Sequence, residues 1–325
     1  MNADADAMDG GRTRRAARLL RDLLPYLGLI LLVAYFSLAS DFFFNARNFE
    51  RLVTDSATLI LVALGMTLVI LVAEIDLSVG AVVALLSVIL AQAMAAGLPW
   101  PVAVLLTVLA AMAIGTLNGV ITVIGQIPSF IVTLGMMAIA TGLAFIFTGA
   151  ISVPILDETF LDLFYSVSLL GVPVPLMIVV VAFAALVVML GRTAFGRELF
   201  AIGANIEAAR LSGIAVRRNK IAVFAVMGLL VGVGAVLSAS RLGSGAPGSS
   251  PSLTLDAIAA VIIGGASLFG GRASMVRTLL GALLIAVLNN GMVLLNVNVD
   301  SQFIVKGLII LLAVVLERLA SAGGR

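Results

Sequence analysis

The side chains that could do chemistry in this chain are few. Glu74 and Asp76 lie two residues apart, with Ser78 just beyond them. Asp256 follows a Pro- and Gly-rich stretch, and Asn118, Asn289 and Asn290 sit inside long apolar runs. The sequence contains no His and no Cys. That removes thiol chemistry, a His-activated nucleophile and the usual zinc, haem and iron-sulfur ligands, so neither a metal nor a cofactor is expected. What remains is charge and hydrogen bonding. A carboxylate or amide placed in hydrocarbon must find a helix end, a partner side chain or water, so each of these residues either caps and packs helices or lines a polar route. Asp76 fits both roles at the start of a third helix, as does Asp256 (or its neighbour Thr254) at the start of an eighth. For the three asparagines the choice is between interhelical hydrogen bonds and contact with a solute.

The elements that must position these residues follow from composition. Hydrophobic residues make up 62% of the chain and charged residues 11%, and the mean hydropathy is +1.23. Too little polar surface is left to cover a water-soluble fold of this length, so the bilayer is its solvent and a soluble catalytic domain is excluded. The fold class is all-α, a polytopic membrane protein with about ten spans. The apolar runs fall at 23–40, 57–74, 77–96, 101–124, 128–148, 172–191, 219–241, 254–270, 275–295 and 302–317. Arg12, Arg14, Arg15, Arg18 and Arg21 precede the first run with no small-residue cleavage site after it, which predicts a retained helix with a cytoplasmic basic flank. Organisation is then a cytoplasmic segment 1–22, a transmembrane domain 23–318 and a cytoplasmic tail 319–325.

Charge sets the orientation. Residues 192–220 carry Arg192, Arg197, Arg210, Arg217, Arg218 and Lys220 against Glu198 and Glu207, and read as cytoplasmic. Residues 150–172 hold Asp157, Glu158 and Asp162 with no Lys or Arg, and read as external. Counting ten crossings satisfies both and places the two termini in the cytoplasm. Leu117-Asn118-Gly119 and Ser129-Phe-Ile-Val132 are echoed by Leu288-Asn-Asn-Gly291 and Gln302-Phe-Ile-Val305, an arrangement that would relate two inverted five-helix halves. Gly115 with Gly119, and Gly228 with Gly232, have the spacing that lets helix backbones approach closely. The pairs Gly264-Gly265 and Gly270-Gly271 mark a possible break at the inner end of the eighth span.

Within the basic loop, residues 203–214 predict a two-turn helix. Asn205 is its N-cap, Glu207 lies in the first turn and Gly213 takes the left-handed stop. So short a helix needs a partner surface, and Ala208, Ala209 and Leu211 offer a small-residue face for one. A plain connecting turn-helix is the alternative.

Ordered motifs give the chain a specific resemblance. Gly65-Met-Thr-Leu-Val-Ile-Leu71, Ile75-Asp-Leu-Ser-Val-Gly80, Glu207-Ala-Ala-Arg-Leu-Ser-Gly-Ile214, Leu255-Asp-Ala-Ile-Ala-Ala-Val261, Gly264-Gly265, Ser267-Leu268, Gly270-Gly271 and Leu288-Asn-Asn-Gly291 resemble the permease subunits of bacterial monosaccharide ABC importers, the ribose, xylose, arabinose and galactose group, over about residues 43–317. The resemblance implies an inner-membrane subunit, not itself an enzyme. It would work by alternating access for a monosaccharide or a related polyol-like solute. It also implies a coupling helix formed by Asn205, Glu207, Ala208, Ala209, Arg210, Leu211, Ser212, Gly213 and Ile214. The implied partners are a cytoplasmic ATP-binding-cassette ATPase, a second permease chain (a copy or a paralogue), a periplasmic sugar-binding protein and the lipid bilayer; nothing points to nucleic acid. Neither lysine, Lys220 or Lys306, stands in a G-x-x-x-x-G-K-[ST] loop, so ATP hydrolysis must come from elsewhere. Ala73-Glu74 departs from the small residues expected ahead of Ile75. The candidate route is Glu74, Asp76, Ser78, Asn118, Asp256, Asn289 and Asn290. The competing reading is an ion-gradient-driven secondary transporter with Glu74 or Asp76 as coupling carboxylate.

Overall fold

The computed structural model describes residues 26–166, 168, 169 and 171–322. The expected segment 1–22, the start of the first span and residues 323–325 of the tail lie outside the described residues. Helices occupy all ten predicted apolar segments: α1 (Tyr26–Ala39), α2 (Ala46–Leu71), α3 (Val79–Ala95), α4 (Trp100–Gly125), α5 (Ser129–Thr148), α7 (Val174–Arg192), α10 (Val216–Leu242), α11 (Leu253–Ile263), α12 (Met275–Leu294) and α13 (Val299–Ala322). Three short helices join them, α6 (Glu158–Leu161), α8 (Ala194–Ala204) and α9 (Ile206–Leu211). Six of the described helices, α2, α4, α5, α7, α10 and α12, are long and apolar enough to cross a membrane by themselves.

Two boundaries depart from the sequence reading for physical reasons. Helix α2 starts at Ala46, not 57, because Asn45 accepts a hydrogen bond from the Arg47 N–H at 3.0 Å and nucleates a polar first turn that hydropathy does not see. Helix α11 ends at Ile263, not 270. Its 11 residues rise about 16 Å, half the hydrocarbon thickness, so the helix alone is too short to span it. The chain then turns through Gly265, Gly270 and Gly271, all at positive φ, where a side chain would be strained. The anticipated break is therefore real, and it closes the helix instead of bending it.

The centre of the bundle is α2, buried almost continuously from Ala57 to Leu71, with α10, α12, α11 and α7 against it. Helices α4 and α10 come into backbone contact through the predicted glycine pairs. A Cβ on Gly228 would strike the Ala111 carbonyl oxygen, and one on Gly115 would strike that of Phe224. The outer helices show an apolar exterior: Leu105, Leu109, Ile131, Val181 and Leu308 all face outward. Apolar groups on both the inside and the outside are what a lipid solvent demands.

The segment between α5 and α7 takes part in two short antiparallel ladders that an all-helical reading does not include. β1 (Val153–Pro154) pairs with β4 (Ser244–Gly245), and β2 (Ser168–Leu169) forms a hairpin with β3 (Val172–Pro173). The first ladder ties the acidic segment to the end of α10, reinforced by the Ser240 Oγ hydrogen bond to the Leu161 carbonyl at 3.1 Å.

Candidate functional site

The candidate residues separate into three places. The first is a cavity of about 280 Å³ formed by the first half of α2, the start of α11, the end of α10 and the C-terminal half of α12. Asp256 is in the first turn of α11, which begins after the Ser252 N-cap. Its Oδ2 accepts three hydrogen bonds: from Lys306 Nζ at 2.9 Å, from Ser252 Oγ at 3.1 Å and from Asn289 Nδ2 at 3.3 Å. Lys306 Nζ also donates to Ser252 Oγ at 3.1 Å. The ion pair is enclosed, with 6% of the Asp256 side chain and 11% of Lys306 exposed. The other oxygen, Oδ1, is buried with no protein partner, and so are Asn289 Oδ1 and Ser249 Oγ. All three residues line the cavity. Three buried polar atoms without partners, two of them acceptors and one a hydroxyl, are costly unless something that enters the cavity completes their hydrogen bonds. At the rim Arg241 approaches Asp55 at 3.8 Å. Asn290 also lines the cavity, but its amide is spent on Asn48, with reciprocal bonds of 3.0 and 2.9 Å between α12 and α2. For Asn290 the packing role is the one observed.

Asp76, Ser78 and Asn118 meet in the second place. The break between α2 and α3 puts Asp76 in extended chain, where its Oδ1 accepts from the Ser78 N–H at 2.8 Å and from Ser78 Oγ at 2.6 Å. Ser78, two residues after Asp76, is the N-cap residue of α3 and makes no side-chain capping bond, so the predicted cap role of Asp76 is not seen. Asn118 on α4 donates to Ser78 Oγ at 3.2 Å. All three are buried and line a cavity of about 10 Å³. The two places adjoin: Thr254 Oγ1 accepts from the Gly80 N–H at 3.0 Å, so the N-terminal ends of α3 and α11 touch.

Glu74 goes to neither cavity. It forms a partly buried ion pair with Lys220 at the start of α10, each side chain 13% exposed. The unexpected carboxylate ahead of Ile75 is thus neutralised locally, and both lysines of the chain are used to neutralise carboxylates.

The third place is α9. Asn205 accepts from the Ala208 N–H at 3.0 Å. The Ile214 N–H reaches the Ala209 carbonyl and the Gly213 N–H reaches that of Arg210, both at 3.1 Å, with Gly213 at φ +81°. This is a complete Schellman ending, so the predicted caps at both ends are present. Ala209 turns inward (3% exposed) and does not share the predicted docking face. The outward face is Ile206, Glu207, Ala208, Arg210, Leu211 (86% exposed) and Ser212, with Glu207 and Arg210 paired at 2.9 Å. Behind it, Gly203 of α8 packs so closely on Leu71 and Gly271 that a Cβ would collide with both backbones, and the Gly271 N–H donates to the Leu71 carbonyl at 3.0 Å. Helix α8 is thereby seated on the ends of α2 and of the α11–α12 turn, and α9 packs on α8 and α10.

Lys306, Ser252 and Ser249 were not among the sequence candidates. Lys306 had a readable signal, the one charged residue in the middle of an apolar run, 302–317. The two serines had none, because their roles depend on where the α10–α11 turn folds back.

Comparison with known proteins places the chain in a family. The family model described as "Branched-chain amino acid transport system / permease component" matches residues 48–314. The ribose import permease protein RbsC of Bacillus subtilis (strain 168) is 40% identical over 304 residues, covering 93% of this chain and 94% of the relative. The probable ABC transporter permease protein YphD of Escherichia coli (strain K12) is 40% identical over 318 residues, 97% of this chain and 96% of the relative. The D-allose transport system permease protein AlsC of the same strain is 36% identical over 295 residues, 90% of each. No solved structure matches the chain. With a bundle whose polar groups face inward and whose apolar faces look out, and with a family match across most of its length, this chain is a polytopic membrane protein and belongs to that family of transport-system permease components.

Proposed function

We propose that the chain is the membrane-spanning subunit of an ATP-driven importer for a neutral polyhydroxylated solute, a monosaccharide or close relative. The relatives named for ribose and allose support the solute class, and the cavity at Asp256 favours the same class on chemical grounds. The family description names amino acids, but a zwitterion needs a free cation for its carboxylate. Among the described residues Lys306 and Arg241 both already face carboxylates. The orphan acceptors Asp256 Oδ1 and Asn289 Oδ1, beside the Ser249 hydroxyl that can donate or accept, instead suit solute hydroxyls, which do both. That set of buried polar atoms is the observation that carries the solute reading. The cavity volume is near the lower end for small-molecule sites.

In this reading ten helices cross or enter the inner membrane between residues 23 and 318, both termini are cytoplasmic, and the halves are related as an inverted repeat. Asp256, Asn289 and Ser249 offer a transient polar stop on the outer side, filled by a periplasmic binding protein. Helix α9, in the cytoplasmic loop 192–220, docks on a separate ATPase by its Ile206, Glu207, Arg210 and Leu211 face. The seat of the adjoining α8 on Leu71 and Gly271 relays its movement to the α11 turn. A second permease chain completes the complex. The ion-gradient alternative loses support at Glu74, whose charge is held by Lys220.

The test is uptake by cells lacking the chromosomal copy, with labelled ribose, allose and leucine. Loss of uptake of a sugar but not of leucine, restored by the wild-type chain and not by Asn289→Leu, is expected. Loss of leucine uptake alone would overturn the solute assignment.

A further inference from the structure

The two polar clusters are built alike. In each, a carboxylate near the start of a helix is bonded by the serine at that helix's N-cap position and lies beside an asparagine of the next long helix: Asp76, Ser78 and Asn118 in one, Asp256, Ser252 and Asn289 in the other. The sequence echo aligns Asn118 with Asn289, and its second part, Ser129-Phe-Ile-Val-Thr133 against Gln302-Phe-Ile-Val-Lys306, aligns Thr133 with Lys306. Both of these reach the turn ahead of the short helix. Thr133 Oγ1 accepts from the Leu77 N–H at 3.0 Å, and Lys306 bonds Ser252 and Asp256.

The clusters differ in charge. Asp256 has the Lys306 ammonium. Asp76 is equally buried and has no cationic partner among the described residues; the uncharged Thr133 stands where the lysine would be. An uncompensated carboxylate in hydrocarbon is strongly disfavoured. Beside it, Asn118 Oδ1 is buried without a hydrogen-bond partner, and Asn118 lines the cavity of about 10 Å³ with Asp76 and Ser78. That volume holds a single water-sized particle.

We propose that Asp76, Ser78 and Asn118 form a site for one small monovalent cation, the ionic counterpart of the Lys306 ammonium in the other half. Oxygen ligands from a carboxylate, a hydroxyl and an amide carbonyl suit a hard cation, and the single carboxylate matches a single positive charge where a divalent ion would draw several. Like the lysine, the ion is resident. It completes the contact between the ends of α3 and α11 and is not a coupling ion.

The probe is sodium itself. The full chain, purified in mild detergent, is melted in sodium chloride and in choline chloride at equal ionic strength. Sodium should raise the midpoint saturably. Asp76→Asn should abolish the shift, and Ser78→Ala, which keeps the carboxylate and the fold, should weaken the apparent sodium affinity about tenfold, the equivalent of about 1.4 kcal/mol. Equal melting in the two salts, the behaviour of a cavity holding water or of a protonated Asp76, would overturn the proposal. So would a sodium shift unchanged in Ser78→Ala, or uptake that needs a sodium gradient. A negative result for sodium leaves the importer reading intact, since that reading uses the other cavity.

Discussion

Replacing Lys306 by Met keeps the stem and removes the ammonium, and the consequence can be worked from the geometry. Asp256 Oδ2 loses its 2.9 Å charge-assisted bond and keeps Ser252 and Asn289, while Oδ1 has no donor to begin with. With the pair 6% and 11% exposed, solvent screens little of the remaining charge. Breaking a buried pair from one side costs about 3–5 kcal/mol, because the surviving charge is left unmet. Removing both charges in Lys306→Met with Asp256→Asn should return most of that loss, since Ser252 Oγ and Asn289 Nδ2 can still serve the amide oxygen. Reversible unfolding in mixed detergent and SDS micelles, run as a double-mutant cycle, reads these differences directly. A single variant as stable as wild type, or a double variant no better than Lys306→Met, would refute the claim that Lys306 serves to neutralise Asp256.

The other expected outcomes separate packing from transport. Glu74→Gln should weaken the folded chain through the loss of Lys220's partner but leave uptake per folded molecule unchanged, measured as transport normalised to monodisperse protein. Asn205→Ala removes the α9 cap, worth about 1 kcal/mol, and should reduce ATPase association without altering membrane insertion. Glu207→Lys and Gly213→Pro should abolish uptake and ATPase association at normal expression, with pull-down and uptake scored together. Gly228→Leu should prevent accumulation of monodisperse protein, because even a Cβ there collides with the Ala111 carbonyl.

Much of this fold could be read in the sequence because a lipid solvent makes hydropathy a direct signal. Helices lie where the apolar runs lie, and the α9 caps at Asn205 and Gly213 were evident because capping is local chemistry. Boundaries failed where the local signal pointed elsewhere. The polar start of α2 was hidden by its charges, and α11 was overextended because the residues after Gly264 remain apolar while the backbone turns. The site was legible by residue type but not by grouping. Asp256 and Asn289 converge, Asp76 and Asn118 converge elsewhere, and Glu74 leaves both groups for a lysine 146 positions away. Such separations are set by how helices pack, which no window of sequence contains. The inward turn of Ala209 has the same origin, since it follows from how α9 packs on α8 and α10.

The central claim is that this chain is one part of an ATP-driven complex. Affinity purification of the tagged chain from its own membrane in mild detergent, with hydrolysis of ATP by the eluted material, tests it most directly. A stoichiometric ATPase that is lost from the Gly213→Pro variant is the predicted result. A wild-type chain that purifies without any ATPase, and supports uptake that collapses with the ion gradient while ATP is maintained, would contradict it.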